Sequence, residues 1–167
     1  MKYTKLQNIK NSYNPLGIIE DIIIGNNWDY EKDKNQNIHV EVGGEWCDYH
    51  LSYGINEDLR LLYISCALDI KIPENKINDV FILLANINEK LKIGHFEVWT
   101  DDSWPVLRQS IPIPIDHKLC RSQVEQSSIM ALEECEKFYP AFQMFAWDNK
   151  NVKDSLEHLM LETQGEV

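Results

Sequence analysis

Between Ile38 and Ile70 the chain alternates between apolar and polar residues, and this constrains its fold more than any other feature. Ile38, Val40 and Val42 keep one register, Leu62, Ile64, Cys66 and Leu68 another, and Gly43-Gly44 and Asn56-Glu57-Asp58 interrupt them. A period of two sends successive side chains to opposite faces, as a strand with one buried face requires. Trp28 and Tyr30 begin a short strand before the turn Lys34-Asn35-Gln36, and Glu45–Tyr53 and Arg60–Ile70 follow the Ile38 strand. Turn residues between such runs mark hairpins. The region therefore reads as a four-strand antiparallel meander.

Helical spacing flanks it. Asn14-Pro15 places a capping side chain before a proline whose missing N–H costs nothing at a helix start. Leu16, Ile19, Ile22 and Ile23 continue the pattern, so a helix is predicted from Pro15 to about Asn26, ended by Gly25-Asn26-Asn27. Pro73-Glu74-Asn75 opens a second helix with an apolar stripe of Ile77, Val80, Phe81, Leu84, Ile87 and Leu91, and Gly94 stands where a C-cap glycine belongs. His95–Thr100 and Val106–Ile113 read as strands joined by Asp101-Asp102-Ser103. After Asp116 the pattern is helical, with Val124, Met130, Leu132, Cys135, Phe138, Phe142 and Phe145 as buried positions. Pro140 should kink or break that helix at Tyr139. A last amphipathic piece, Val152–Leu161, should bury Leu156, Leu159 and Met160. The order is helix, four-strand meander, helix, two strands and C-terminal helices. This is an α+β domain with an antiparallel sheet, spanning residues 13–167 behind a loose tail of residues 1–12.

Charge narrows the partners. The 167 residues carry a formal charge of −11. The excess is even: eight basic against thirteen acidic residues in 1–83, and eight against fourteen in 84–167. Phosphate repels such a surface, so neither nucleic acid nor anionic membrane is an expected partner. No apolar run approaches the ~20 residues of a membrane-spanning helix. Residues 1–10 lack the apolar stretch of a secretory signal. Cys47, Cys66, Cys120 and Cys135 have no close paired spacing, and the expectation is reduced thiols in a cytoplasmic protein.

Motifs that carry chemistry are missing. The sequence holds no Gly-x-x-x-x-Gly-Lys-Ser/Thr, His-Glu-x-x-His, Cys-x-x-Cys or Gly-x-Ser-x-Gly. Cys47 and His50 lie three apart on a strand, so they point to opposite faces and cannot share a metal ion. Cys47, Cys66 and Cys135 fit as small core residues. Cys120, at a helix start, is the one cysteine placed for reactivity. Asp101-Asp102, Glu133-Glu134 and Glu57-Asp58 suit solvated turns and helix faces better than acid–base chemistry. No catalytic residue, metal or cofactor is assigned.

The sheet's second face is more informative. It should carry Trp46, Asp48 and His50 on one strand, Tyr63, Ser65 and Ala67 on its neighbour, then His95, Glu97 and Trp99, and Arg108 and Ser110. Indoles and imidazoles mixed with charges resemble an interface more than a plain solvent face. In the bland reading the C-terminal helices cover this face, with Asp48 or Glu97 paired to Arg108.

Several segments together resemble a known family. They are Asn14-Pro15-Leu16 with Ile19-Glu20, Gly44–Tyr49, Ser65–Asp69, Ile72-Pro73-Glu74, Asn88–Leu91 and Gly94-His95-Phe96 with Trp99. Leu132–Gln143 follows, then Leu161-Glu162-Thr163 with Gly165-Glu166. The set, spanning residues 14–167, is similar to the YbjN family, named for bacterial sensory transduction regulation. The resemblance implies a domain similar to type III secretion chaperones: small, acidic, α+β, often dimeric and built to hold another polypeptide. It implies no reaction and no catalytic residues. The chain departs from the family pattern at Leu107-Arg108-Gln109 with Ile111-Pro112-Ile113-Pro114, and at Asp148-Asn149.

The sequence thus leads to a non-enzymatic, cytoplasmic, chaperone-like domain that binds a protein partner, or a second copy of itself, through a sheet face or an edge. Its candidate residues are Trp46, Asp48, His50, Trp99 and Arg108. Glu133 and Glu136 on the Leu132–Gln143 helix form a second candidate docking surface. The alternative is a small-ligand sensor, or an enzyme with a spatially assembled His/Asp/Cys site, which needs a deep cavity holding His50 or His95 with a carboxylate.

Overall fold

The computed structural model describes residues 15–114 and 119–147. The expected tail and the Val152–Leu161 piece lie outside the described residues. Helix α1 (Pro15–Gly25) leads into strands β1 (Tyr30–Lys32), β2 (Ile38–Gly43), β3 (Asp48–Asn56) and β4 (Leu61–Leu68). A 3-10 turn (Glu74–Lys76) opens α2 (Ile77–Asn88), followed by β5 (His95–Trp99), β6 (Trp104–Pro112) and α3 (Arg121–Trp147). The strands form an antiparallel sheet in the order β1-β2-β3-β4-β6-β5. The meander is present as expected, and the β5–β6 hairpin joins it with β6 against β4.

Pairing sorts the side chains. Tyr49, Leu51 and Tyr53 face Leu68, Cys66 and Ile64, and Cys66, Ile64 and Leu62 face Leu107, Gln109 and Ile111. This is the buried face, and α3 closes it. The Cys135 thiol lies 3.8 Å from the Cys66 carbonyl, and the Phe96 ring packs against Phe138 and Phe142. Ile19, Ile22 and Ile23 of α1 and Val80, Leu83, Leu84 and Ile87 of α2 complete the core. One polar chain crosses it: the Tyr53 hydroxyl donates to Ser128 Oγ (2.8 Å), which donates to the Val124 carbonyl (2.8 Å). Both of these buried hydroxyls thus have partners, as the low dielectric of a core favours.

Helix α1 ends in a Schellman motif. Trp28 N–H reaches the Ile23 carbonyl and Asn27 N–H the Ile24 carbonyl (both 3.1 Å), with Asn27 at φ 55°. Asparagine tolerates the left-handed region that such a cap needs.

Four expectations require correction. α3 runs unbroken through Pro140, because the proline ring costs one bond while Phe138, Tyr139, Ala141 and Phe142 are all buried on either side. Packing outweighs the local penalty. Phe81 is 53% exposed, and Leu83 takes the core position instead. Gly94 lies in the connection to β5 rather than capping α2; it has φ +73°, and a Cβ there would stand 2.7 Å from the Arg108 carbonyl. Met130, Leu132 and Cys47 are half-buried rather than core.

Candidate functional site

The second sheet face carries two transverse rows. One runs Glu41–His50–Ala67–Val106–Glu97, the other His39–Ser52–Ser65–Arg108–His95. Trp99 and Trp104 sit opposite each other at the end of the β5–β6 hairpin. Ala67 and Val106 are buried, and half-buried to exposed polar and aromatic groups stand around them. The contacts of α3 described above lie on the other face, as do the core positions of α1 and α2. The bland reading, in which C-terminal helices cover this face, thus fails for α3.

Glu97 is the electrostatic hub. Its carboxylate accepts from Trp99 Nε1 (3.0 Å) and lies 3.5 Å from both Arg108 and His95. The Arg108 guanidinium also sits 5.4 Å from the centre of the Tyr63 ring, within cation–π range. The Arg108–Glu97 pair expected from the sequence is therefore present. These groups are part-exposed, so the pairs orient side chains more than they add stability. Beside them His50 stacks on Trp104 with ring centres 5.3 Å apart. Trp104 falls outside the Val106–Ile113 strand that the sequence predicts, because β6 begins two residues earlier and carries the alternation back to it.

His50, Trp99 and Arg108 thus share one surface, and Asp48 stands exposed at the start of β3 on the same face. Trp46 does not. It precedes β3, in the turn closed by Gly44 N–H to the Cys47 carbonyl (3.0 Å), and lies near-parallel to Tyr139 of α3. The turn comprises the four residues Gly44–Cys47, and β3 starts three residues later than the expected Glu45, so strand periodicity does not extend to Trp46.

That turn meets α3 closely. Glu136 Oε1 accepts the Glu45 N–H (2.8 Å), and Tyr139 packs edge-on to Tyr49. A Cβ at Gly44 would run into the Tyr49 ring and the Glu136 carboxylate, so only glycine fits. Burial pushes the Tyr49 hydroxyl well above its ordinary value and the Cys47 thiol up to about 11. Two segments that carry the family resemblance, Gly44–Tyr49 and Leu132–Gln143, are here one structural joint. Glu136 is a strut in it, while Glu133 is exposed.

The sheet's free edges are both managed. β1 is three residues long, and its Lys32 pairs with Glu20 of α1. At the other edge Asn88 acts as a neighbouring strand. Its side chain donates to the Phe96 carbonyl (3.0 Å) and accepts the Phe96 N–H (2.7 Å). Both devices blunt edges that would otherwise recruit another strand.

Among the described residues, no group of three or more His, Cys, Asp or Glu is placed to hold a metal ion. An apolar groove between α1 and α3 contains neither His50 nor His95. No described helix is long and apolar enough to cross a membrane.

Fold and site together define an α+β domain with helices packed on one face of an antiparallel sheet and a mixed aromatic and charged surface on the other. A family model described as "Putative bacterial sensory transduction regulator", YbjN, matches residues 15–144, and the chain belongs to that family. A solved structure with the same fold is that of YbjN, titled "a putative transcription regulator from E. coli". It is 9% identical with a TM-score of 0.54, over 72% of this chain and 85% of that one. No curated protein matches the sequence.

Proposed function

We propose that this chain is a non-enzymatic regulatory domain that holds a protein partner against the second face of its sheet, in the manner of a chaperone. One observation carries the reading: α3 closes the opposite face, while Trp99 and Arg108 stay 40% and 46% exposed beside the His50–Trp104 stack. Aromatic and Arg anchors around a small apolar centre have the anatomy of a binding hot spot. The face is favoured over an edge because Asn88 already occupies the backbone groups of Phe96. A second copy of the chain is one candidate partner, and light scattering across concentration tests it. The four free cysteines support a cytoplasmic setting.

The direct test compares proteins captured by the tagged chain with those captured by a Trp99→Ala/Arg108→Glu variant. Both positions are exposed and the Glu97 contacts they give up are surface ones, so the variant should stay within about 1 kcal/mol of the parent in stability. Loss of a captured protein with unchanged unfolding supports the reading. Undiminished capture would overturn it. Glu133→Lys serves as the control for the α3 surface; Glu136→Lys does not, since it would break the Glu45 joint.

A further inference from the structure

The groove between α1 and α3 encloses about 190 Å³ and is lined by Ile22, Trp28, Ile129 and Leu132, with Glu125, Glu133 and Glu136 among its other residues. A cavity of about 150 Å³ already admits a benzene ring, so there is room for at least one large side chain. Ile129 remains 42% exposed beside it. Three carboxylates around an apolar floor, with no Lys or Arg among the described lining residues, fit a segment that combines apolar side chains with cations.

The chain contains such a segment. Residues 1–14, MKYTKLQNIKNSYN, hold Lys2, Lys5 and Lys10 and no acidic residue, in a chain whose formal charge is −11. Leu6 and Ile9 are their aliphatic members besides Met1. The reach is sufficient. Ile22 and Asn26 lie about 10 and 16 Å along α1 from Pro15, at 1.5 Å per residue. At about 3.3 Å per residue, Ile9 can stand about 20 Å from Pro15 and Leu6 about 30 Å. Covalent attachment makes even weak docking count, because a short tether supplies an effective concentration in the millimolar range.

We propose that the α1–α3 groove is a docking site for the chain's own segment 1–14, with Leu6 or Ile9 against Ile129 and Leu132 and the lysines facing the carboxylates. The bound segment covers an apolar patch on the helical side of the molecule, away from the proposed binding face. A basic segment of another protein could gain the groove only by displacing it.

The test uses the full ¹⁵N-labelled chain and the variant Leu6→Asp/Ile9→Asp. The groove amides of Asn26, Ile129, Leu132 and Glu133 should shift, while those of β5 and β6 stay fixed. A synthetic peptide of residues 1–14 should then bind the variant, reverse those shifts, and lose several-fold in affinity as NaCl rises from about 0.05 to 0.5 M. The same peptide should not titrate the parent chain. Ile129→Asp, at an exposed position, should give comparable groove shifts and abolish peptide binding. Unmoved groove amides in both variants, or equal titration of parent and variant, would overturn the proposal. So would groove shifts that depend on protein concentration, which would assign the site to a second copy.

Discussion

Two residues show how environment divides chemically similar groups. Cys120 is exposed just ahead of α3, where the Ser122 hydroxyl and then the Gln123 and Ser122 backbone N–H groups lower its thiol pKa. Burial pushes the Cys47 thiol up to about 11 and holds the Cys135 thiol well above its ordinary value. A lowered pKa means more thiolate at a given pH, and thiolate is the reactive form. Iodoacetamide at pH 7–8 should therefore modify Cys120 first, and its rate should climb at lower pH than that of Cys47. Peptide mass spectrometry of a short time course would check this; Cys47 or Cys135 labelling ahead of Cys120 would refute it. Tyr53 is the second case. Burial pushes its hydroxyl up to about 12, and the hydroxyl donates a hydrogen bond to Ser128 Oγ. Tyr53→Phe should cost about 1 kcal/mol, the net worth of one buried hydrogen bond. Urea unfolding measures it, and a neutral result would show that the bond adds nothing.

At the scale of elements, the joint between the β2–β3 turn and α3 and the Asn88 plug on β5 act on the sheet from outside its ladder. Asn88→Ala removes a donor and an acceptor together and leaves two edge backbone groups of Phe96 unpaired. A loss of about 1–2 kcal/mol is expected. Because the freed edge can pair with another chain, concentration-dependent association should accompany it. Sedimentation of the variant at two concentrations tests the second effect, and a monodisperse variant would show that the edge has another guard. The elements themselves were largely legible: alternation fixed β2 and β4, and 3.6-residue spacing fixed α1 and α2. The Pro140 break was wrong for a physical reason. A proline's penalty is local and knowable from sequence, but the packing of Phe138, Tyr139 and Phe142 that offsets it is not.

For the whole molecule, most of the acidity and the proposed binding face occupy different places. Among the described residues most Asp and Glu lie on turns and helices, while the open sheet face sets Glu41, Asp48 and Glu97 beside Arg108 and the imidazoles of His39, His50 and His95. A net charge of −11 keeps a domain with an aromatic surface soluble. The face-directed variants in the capture experiment should therefore change binding without changing solubility or fold.

Sequence alone determined the class of fold, the sheet's inward register and most of one mixed outer face. These follow from periodicity, which is local. His50, Trp99 and Arg108 could be grouped in advance because the strand pleat fixes the face of every second residue. Trp46 could not, because it lies in a turn where that rule ends. Tertiary structure decided which face the helices close, that Glu136 ties α3 to the β2–β3 turn, and that Asn88 completes an edge strand. Each of these is a meeting of residues distant in sequence or carried on different elements, so only the packed chain specifies it.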